Sequence, residues 1–182
     1  VIDIPLDMLA RSEPWLAAMT AELMMLYRIG FNPMLGVEMT MTSRATVDGK
    51  PIEGLETVDE QLGVLDGLPL DAQRDMLLQT LLQGAAMGEA VDTLVSAWRN
   101  GDIAMLEREL LNELQQQEEL YTALIVDRNR RWAETIVEWL DDEQDYLVVV
   151  GALHLVGDDG VPAMLADKGI GIHQLRDSSG LR

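Results

Sequence analysis

Tyr146–Gly157, YLVVVGALHLVG, is the stretch on which the reading of the fold turns. It opens with five consecutive apolar or aromatic residues, three of them β-branched, and predicts a strand buried on both faces. Gly151 is then free to turn sharply or to bring the backbone close to a neighbour. His154, one of two histidines in the chain, follows just past the C-terminal end of that strand. Loops anchored by rigid structure at such places commonly carry chemistry. The alternative is a polar loop histidine that hydrogen-bonds a neighbour. Gly157-Asp158-Asp159-Gly160-Val161-Pro162 reads as a turn into a helix, with Asp158 or Asp159 as its N-cap, running through Met164 and Leu165 to Gly169. Ile170 to Leu175 reads as a last short strand with an exposed His173. Strand, turn, helix and strand make a βαβ-like crossover, which predicts two parallel neighbouring strands.

Upstream, apolar residues at helical spacing predict helices almost without interruption from Pro69 to Leu140. Their stops and starts are legible at Gly84 and at Asn100-Gly101 with Asp102 as the next N-cap, and the polar run Gln115 to Glu119 reads as an exposed helical face. Before them, Ser12-Glu13-Pro14 predicts a helix start with a Ser cap, and Trp15, Leu16, Met19, Leu23, Leu26 and Tyr27 form its apolar face to Gly30. A short helical segment runs from Gly36 toward Ala45. Pro51 to Glu56 reads as a short strand after the turn Asp48-Gly49-Lys50-Pro51. Val1 to Pro5 has the look of a strand tail, in which Asp3 is either a site carboxylate at a strand end or a turn residue.

The composition bounds the function. At 182 residues, 48% hydrophobic and 25% charged, the chain has the length and balance of one ordinary domain with a real core. No apolar run reaches the length needed to cross a bilayer. A formal charge of −19, from 32 acids against 13 bases, argues against nucleic acid and anionic membranes as partners. Its densest acidic run, Glu138 to Asp145, reads as a solvated face. With no cysteine, thiolate metal sites, disulfides and a cysteine nucleophile are excluded, so any metal needs carboxylates, imidazole, amides or water.

Two further groups are candidates for chemistry. Glu56 falls where a strand gives way to a helix with Thr57 as N-cap, and Glu60 and Gln61 lie in the first turns of that helix. These residues either converge on one point or form a capping arrangement. Asp127-Arg128-Asn129-Arg130-Arg131 is the basic cluster of an acidic chain. It is either a helix junction whose arginines pair with surface acids, or a guanidinium and amide presented to a polarised substrate group.

In order along the chain, Gly36-Val37-Glu38, Lys50 to Thr57 with Glu60-Gln61, Trp98 to Asp102, Arg128 to Trp132, and Gly151-Ala152-Leu153-His154-Leu155 with Gly157 and Gly160 resemble the TraB/GumN family. That family includes the animal Tiki proteins and the bacterial pheromone-shutdown protein PrgY. The resemblance runs from about residue 30 to residue 175. It implies one α+β domain over residues 1–182, a small mixed β-sheet with a large helical insertion at about 69–140, similar to the cores of erythromycin esterase and ChaN. It also implies a metal-dependent, peptidase-like hydrolase acting on a peptide or small-molecule ligand, with a periplasmic or cell-envelope location. A non-catalytic module that sequesters such a ligand is the alternative.

The family signature is two Gly-x-x-His motifs with acidic residues and an Arg-Asn pair between them. Here the second motif is Gly151 to His154, the glutamate is Glu56 and the pair is Arg128-Asn129. No first Gly-x-x-His precedes Gly151, and Val1-Ile2-Asp3-Ile4 overlaps the strand that follows it in the family. The resemblance therefore implies a member lacking its N-terminal strand-helix portion, with Asp3 a remnant of the acidic motif. It makes His154, Glu56 and Asp3 ligands of a divalent ion (manganese, cobalt or zinc). Glu56, Arg128, Asn129 and His154 are then the catalytic set, and Glu38, Glu60, Gln61, Gly151 and Gly157 the remaining motif positions.

Overall fold

The computed structural model describes residues 9–84 and 87–175. In chain order its helices are α1 (Pro14–Arg28), α2 (Val37–Val47), α3 (Val58–Asp66), α4 (Leu70–Gln83), α5 (Met87–Asn100), α6 (Ile103–Leu111), α7 (Glu118–Tyr121), α8 (Asp127–Trp139) and α9 (Val161–Asp167). A π-helical turn, Thr122–Val126, joins α7 to α8, and short 3-10 turns lie at Pro33–Leu35, Leu114–Gln116 and Ala152–Leu155. No described helix is long and apolar enough to cross a membrane.

Side-chain caps set the starts of α3 and α6. Thr57 and Glu60 form a full capping box, with Glu60 N–H on the Thr57 hydroxyl at 3.2 Å and Thr57 N–H on Glu60 Oε2 at 2.7 Å. Asp102 caps α6 by accepting from Met105 N–H at 3.1 Å. Two expected caps are displaced. Glu13 rather than Ser12 occupies the N-cap of α1, with Pro14 first in the helix, and Gly160 rather than either aspartate occupies that of α9.

The buried core of the described residues falls into three groups. Trp15, Leu65, Leu68 and Leu120 tie α1 and the end of α3 to α7. There Trp15 Nε1 donates to Asp66 Oδ1 at 3.1 Å, and buried Gln73 donates to the Leu68 carbonyl at 2.9 Å. These bonds pair the Trp15 indole N–H, the Gln73 amide nitrogen and the Leu68 carbonyl at the α3–α4 junction, while Gln73 Oε1 is buried without a hydrogen-bond partner. Ala97, Leu106, Leu111 and Val156 join α5 and α6 to the loop after His154. Trp132, Ala133, Val161 and Leu165 lock α8 against α9. Gly157 holds the loop close to α6 at φ +76°, and a Cβ on it would stand 2.6 Å from Leu111 Cδ1.

The expected α+β fold with a small mixed sheet is overturned: the described residues contain helices and irregular chain, and no strand. The expected strand tail at Val1 to Pro5, with Asp3, lies outside the described residues. Tyr146 to Val150 runs without ladder pairing. Tyr146 stacks face to face on Trp139, ring centroids 4.9 Å apart, and donates its hydroxyl to Asp142. Leu147 is 76% exposed, while Val150 packs against the Trp132 group. An apolar β-branched run signals burial and extension, but a strand also needs a partner elsewhere in the chain. Here helices bury part of the run instead. Pro51 to Glu56 and Ile170 to Leu175 likewise form no strand, so no parallel crossover forms among the described residues.

Leu111 is fully buried between α6 and the 157 loop, so Leu111→Ala leaves a cavity at that joint. Urea unfolding is expected to show a loss of about 2–5 kcal/mol, as for other buried leucines.

Candidate active site

The site is built on the first two turns of α8. Arg128, Asn129, Trp132 and Ala133 are its buried face. Arg128 and Trp132, four residues apart, lie on one side of the helix, and the guanidinium carbon sits 4.7 Å from the indole centroid. The π turn before them widens the helix and offers the Leu124 carbonyl to Arg128 Nη1 at 3.2 Å. Opposite stands the 3-10 turn Ala152–Leu155, which delivers His154 into the interior at 7% exposure. Its imidazole lies 4.6 Å, centroid to centroid, from the Trp132 ring.

A chain of hydrogen bonds fixes the protonation of His154. Asn129 is fully buried, and its Nδ2 donates to the Asp159 carbonyl at 2.7 Å. A carbonyl only accepts, so the amide nitrogen is assigned to that side and Oδ1 faces His154 Nδ1 at 2.7 Å. Nδ1 therefore carries the proton and donates it. Nε2 is left with its lone pair, which faces Arg128 Nη1 at 3.4 Å. Burial first, then the adjacent guanidinium, lowers the His154 pKa to about 4, with Glu56 opposing, so the ring is neutral near pH 7. Asp159 is itself held by the Tyr121 hydroxyl, which donates to Oδ2 at 2.8 Å. Burial, followed by Asp159, raises the Tyr121 pKa despite an opposing bond to Gln115, which keeps the phenol a donor.

Glu56 closes the cluster. Its Oε1 accepts from Arg128 Nη2 at 2.5 Å and its Oε2 from Nε at 3.1 Å, a bidentate ion pair whose side chains are 11% and 10% exposed. Gly54 shapes the approach, because a Cβ there would lie 2.8 Å from the Glu56 carbonyl oxygen. Trp132 Nε1 is buried without a hydrogen-bond partner.

Glu56, Arg128, Asn129 and His154 are thus brought together. Of the other motif positions, Gly151 adjoins the cluster, its carbonyl accepting from the His154 backbone N–H at 2.9 Å. Glu60 is turned back onto Thr57, whose backbone N–H and then hydroxyl lower its pKa, and Gln61 is exposed. Glu38 is exposed in the first turn of α2. Gly151 is exposed at φ −59°, a conformation open to any residue, and so provides no sharp turn. Arg130 pairs with Asp127 at the surface. Trp132, Asp159 and Tyr121 were not legible as site residues. The sequence signals were the place of Trp132 at the end of the Arg128 to Trp132 motif, its four-residue spacing from Arg128, and the place of Asp159 in the turn after His154.

As arranged, these residues do not fit a divalent ion. Both Glu56 oxygens are taken by Arg128, His154 Nε2 faces the same cation, and Nδ1 is committed to Asn129. Among the described residues no group of three or more histidines and carboxylates converges as a metal site. Asp3 lies outside the described residues.

Fold and site together define a helical protein with a buried arginine–glutamate–histidine–asparagine centre. The chain belongs to the TraB/PrgY/gumN family, whose model matches residues 2–174, in accord with the order of its motifs. It is 28% identical over 151 residues to uncharacterized protein YbaP of Escherichia coli (strain K12), a match covering 83% of this chain and 55% of YbaP. It matches uncharacterized protein YbaP of Shigella flexneri over the same shares at the same identity. The chain thus spans about half the length of these curated relatives. No solved structure matches it.

His154 gives the fold a pH dependence. Above pH 6.5 the ring is neutral in both folded and unfolded chains. Below it the unfolded chain takes up a proton that the folded site refuses until about pH 4. Stability therefore falls as pH drops from 6.5 to about 4, by roughly 3 kcal/mol from this residue. Urea unfolding across that range is expected to show this component in the wild type and to lack it in His154→Gln.

Proposed function

We propose that this chain carries the proton-transfer centre of a hydrolase acting on a peptide or other acyl bond. The observation that carries the reading is the fixed tautomer of His154: Asn129 holds the proton on Nδ1, and Nε2 presents a lone pair beside a buried cation. In this reading the substrate carbonyl oxygen competes with Nε2 for the Arg128 Nη1 proton and draws the guanidinium off the imidazole. Glu56 keeps hold of Nε and Nη2 and so keeps the cation in the site. The freed Nε2 takes a proton from water as the water oxygen adds to the carbonyl carbon. The carbonyl π pair moves to oxygen, where Arg128 stabilises the charge. On collapse the imidazolium returns the proton to the leaving amine or alcohol.

An imidazole with a pKa of about 4 is a weak base at rest. Negative charge growing beside Arg128 offsets the guanidinium and raises the basicity of Nε2 as the transition state forms. The metal-dependent, peptidase-like activity implied by the resemblance would require Arg128 to release both Glu56 and His154.

A non-catalytic module that sequesters a peptide or small ligand is the second reading. It is favoured by the near-complete pairing of the Arg128 donors within the protein. Peptide hydrolysis by the purified chain, followed by mass spectrometry, separates the two. Catalysis predicts a loss of roughly 10²–10⁴-fold in His154→Gln with the helical content unchanged. Turnover that is absent in the wild type, or undiminished in the variant, overturns the catalytic reading.

A further inference from the structure

We infer that Arg128 is the resident cation of this site, its guanidinium taking up the donor atoms of Glu56 and His154 that would otherwise hold a divalent metal ion. The inference rests on the geometry and is independent of the hydrolytic reading.

A carboxylate and an imidazole that share one small, buried volume are the donors a hard or borderline dication prefers. Here the guanidinium lies between them. It bonds to the carboxylate through Nε and Nη2 and reaches the imidazole through Nη1. Two further contacts keep it there. The Leu124 carbonyl of the π turn accepts from Nη1, and the Trp132 ring covers the guanidinium plane. Swinging Arg128 aside would break the bond to Leu124 and strand a positive charge in an interior where its side chain is 10% exposed. A dication introduced beside Nε2 with Arg128 in place would meet that charge at close range, in surroundings that screen it poorly. The imidazole cannot turn its other nitrogen to the task. Nδ1 is bound to Asn129, and Asn129 is bound in turn to the Asp159 carbonyl.

The histidine count makes a direct test simple. His154 is buried and His173 is exposed, so each imidazole reports separately in a long-range proton–nitrogen correlation spectrum of the labelled chain. Zinc chloride is titrated to one equivalent near pH 7, into the wild type and into Arg128→Met, which keeps an unbranched apolar stem and removes the charge. In the wild type, His154 Nε2 is expected to show the shift of an unprotonated ring nitrogen and to stay in place as zinc is added. Weak association with surface acids would move His173 at most. In Arg128→Met, Nε2 is expected to move with stoichiometric zinc. A wild-type His154 signal that moves at one equivalent overturns the inference. So does a folded Arg128→Met chain whose His154 ignores zinc. Should circular dichroism show that the variant does not fold, the wild-type titration decides alone.

Discussion

A single guanidinium buried in a protein this acidic organises the rest of the site. Taking Arg128 out of water is costly, and the cost is offset only if its donors find acceptors and its charge finds a partner. Glu56 supplies the charge, the Leu124 carbonyl and His154 Nε2 supply acceptors, and Trp132 supplies an aromatic face. Each comes from a different part of the chain: the approach to α3, the π turn, the turn before α9, and α8 itself. The ion pair therefore holds those parts in register. Removing one partner leaves the other buried and uncompensated, so the pair constrains the fold more than its net energy suggests.

The scaffold around this point explains why it keeps its shape. The π turn lets two consecutive residues, Arg128 and Asn129, both face inward while α8 continues beyond them. Asn129 then reaches the 159 loop, and Tyr121 fixes that loop from the other side through Asp159. Val161 and Leu165 of α9 pack on Trp132, so the wall of the site and the core of the domain are one surface. A neutral imidazole with one nitrogen committed and the other facing a cation follows from this packing.

Much of the helical architecture was legible in the sequence because its signals are local. Apolar spacing between Pro69 and Leu140, the cap at Asp102 and the box at Thr57 and Glu60 each depend on residues within a turn or two. The sheet was misread because pairing is not local. Val148 to Val150 announce burial and extension, and nothing within the run says that α8 and α9 take up part of that burial in place of neighbouring strands. The site shows the same limit. Residues taken singly left His154, Glu56 and Arg128 open to ordinary structural readings, and only the order of the motifs tied them together. Glu56 and Arg128 are 72 positions apart, and nothing local in either segment predicts their pairing. The Gly157 position, by contrast, was visible as a turn, and its close fit against Leu111 gives that turn its reason.

The most direct test of the ion pair as the organising contact is a double-mutant cycle on urea unfolding with Glu56→Gln, Arg128→Met and the combination. Each single change is predicted to cost about 3–5 kcal/mol, because each leaves an unpaired buried charge. The double variant is predicted to cost no more than the larger single change. Additive losses, agreeing within about 0.5 kcal/mol, would contradict the pairing of Glu56 with Arg128 as the contact on which the site depends.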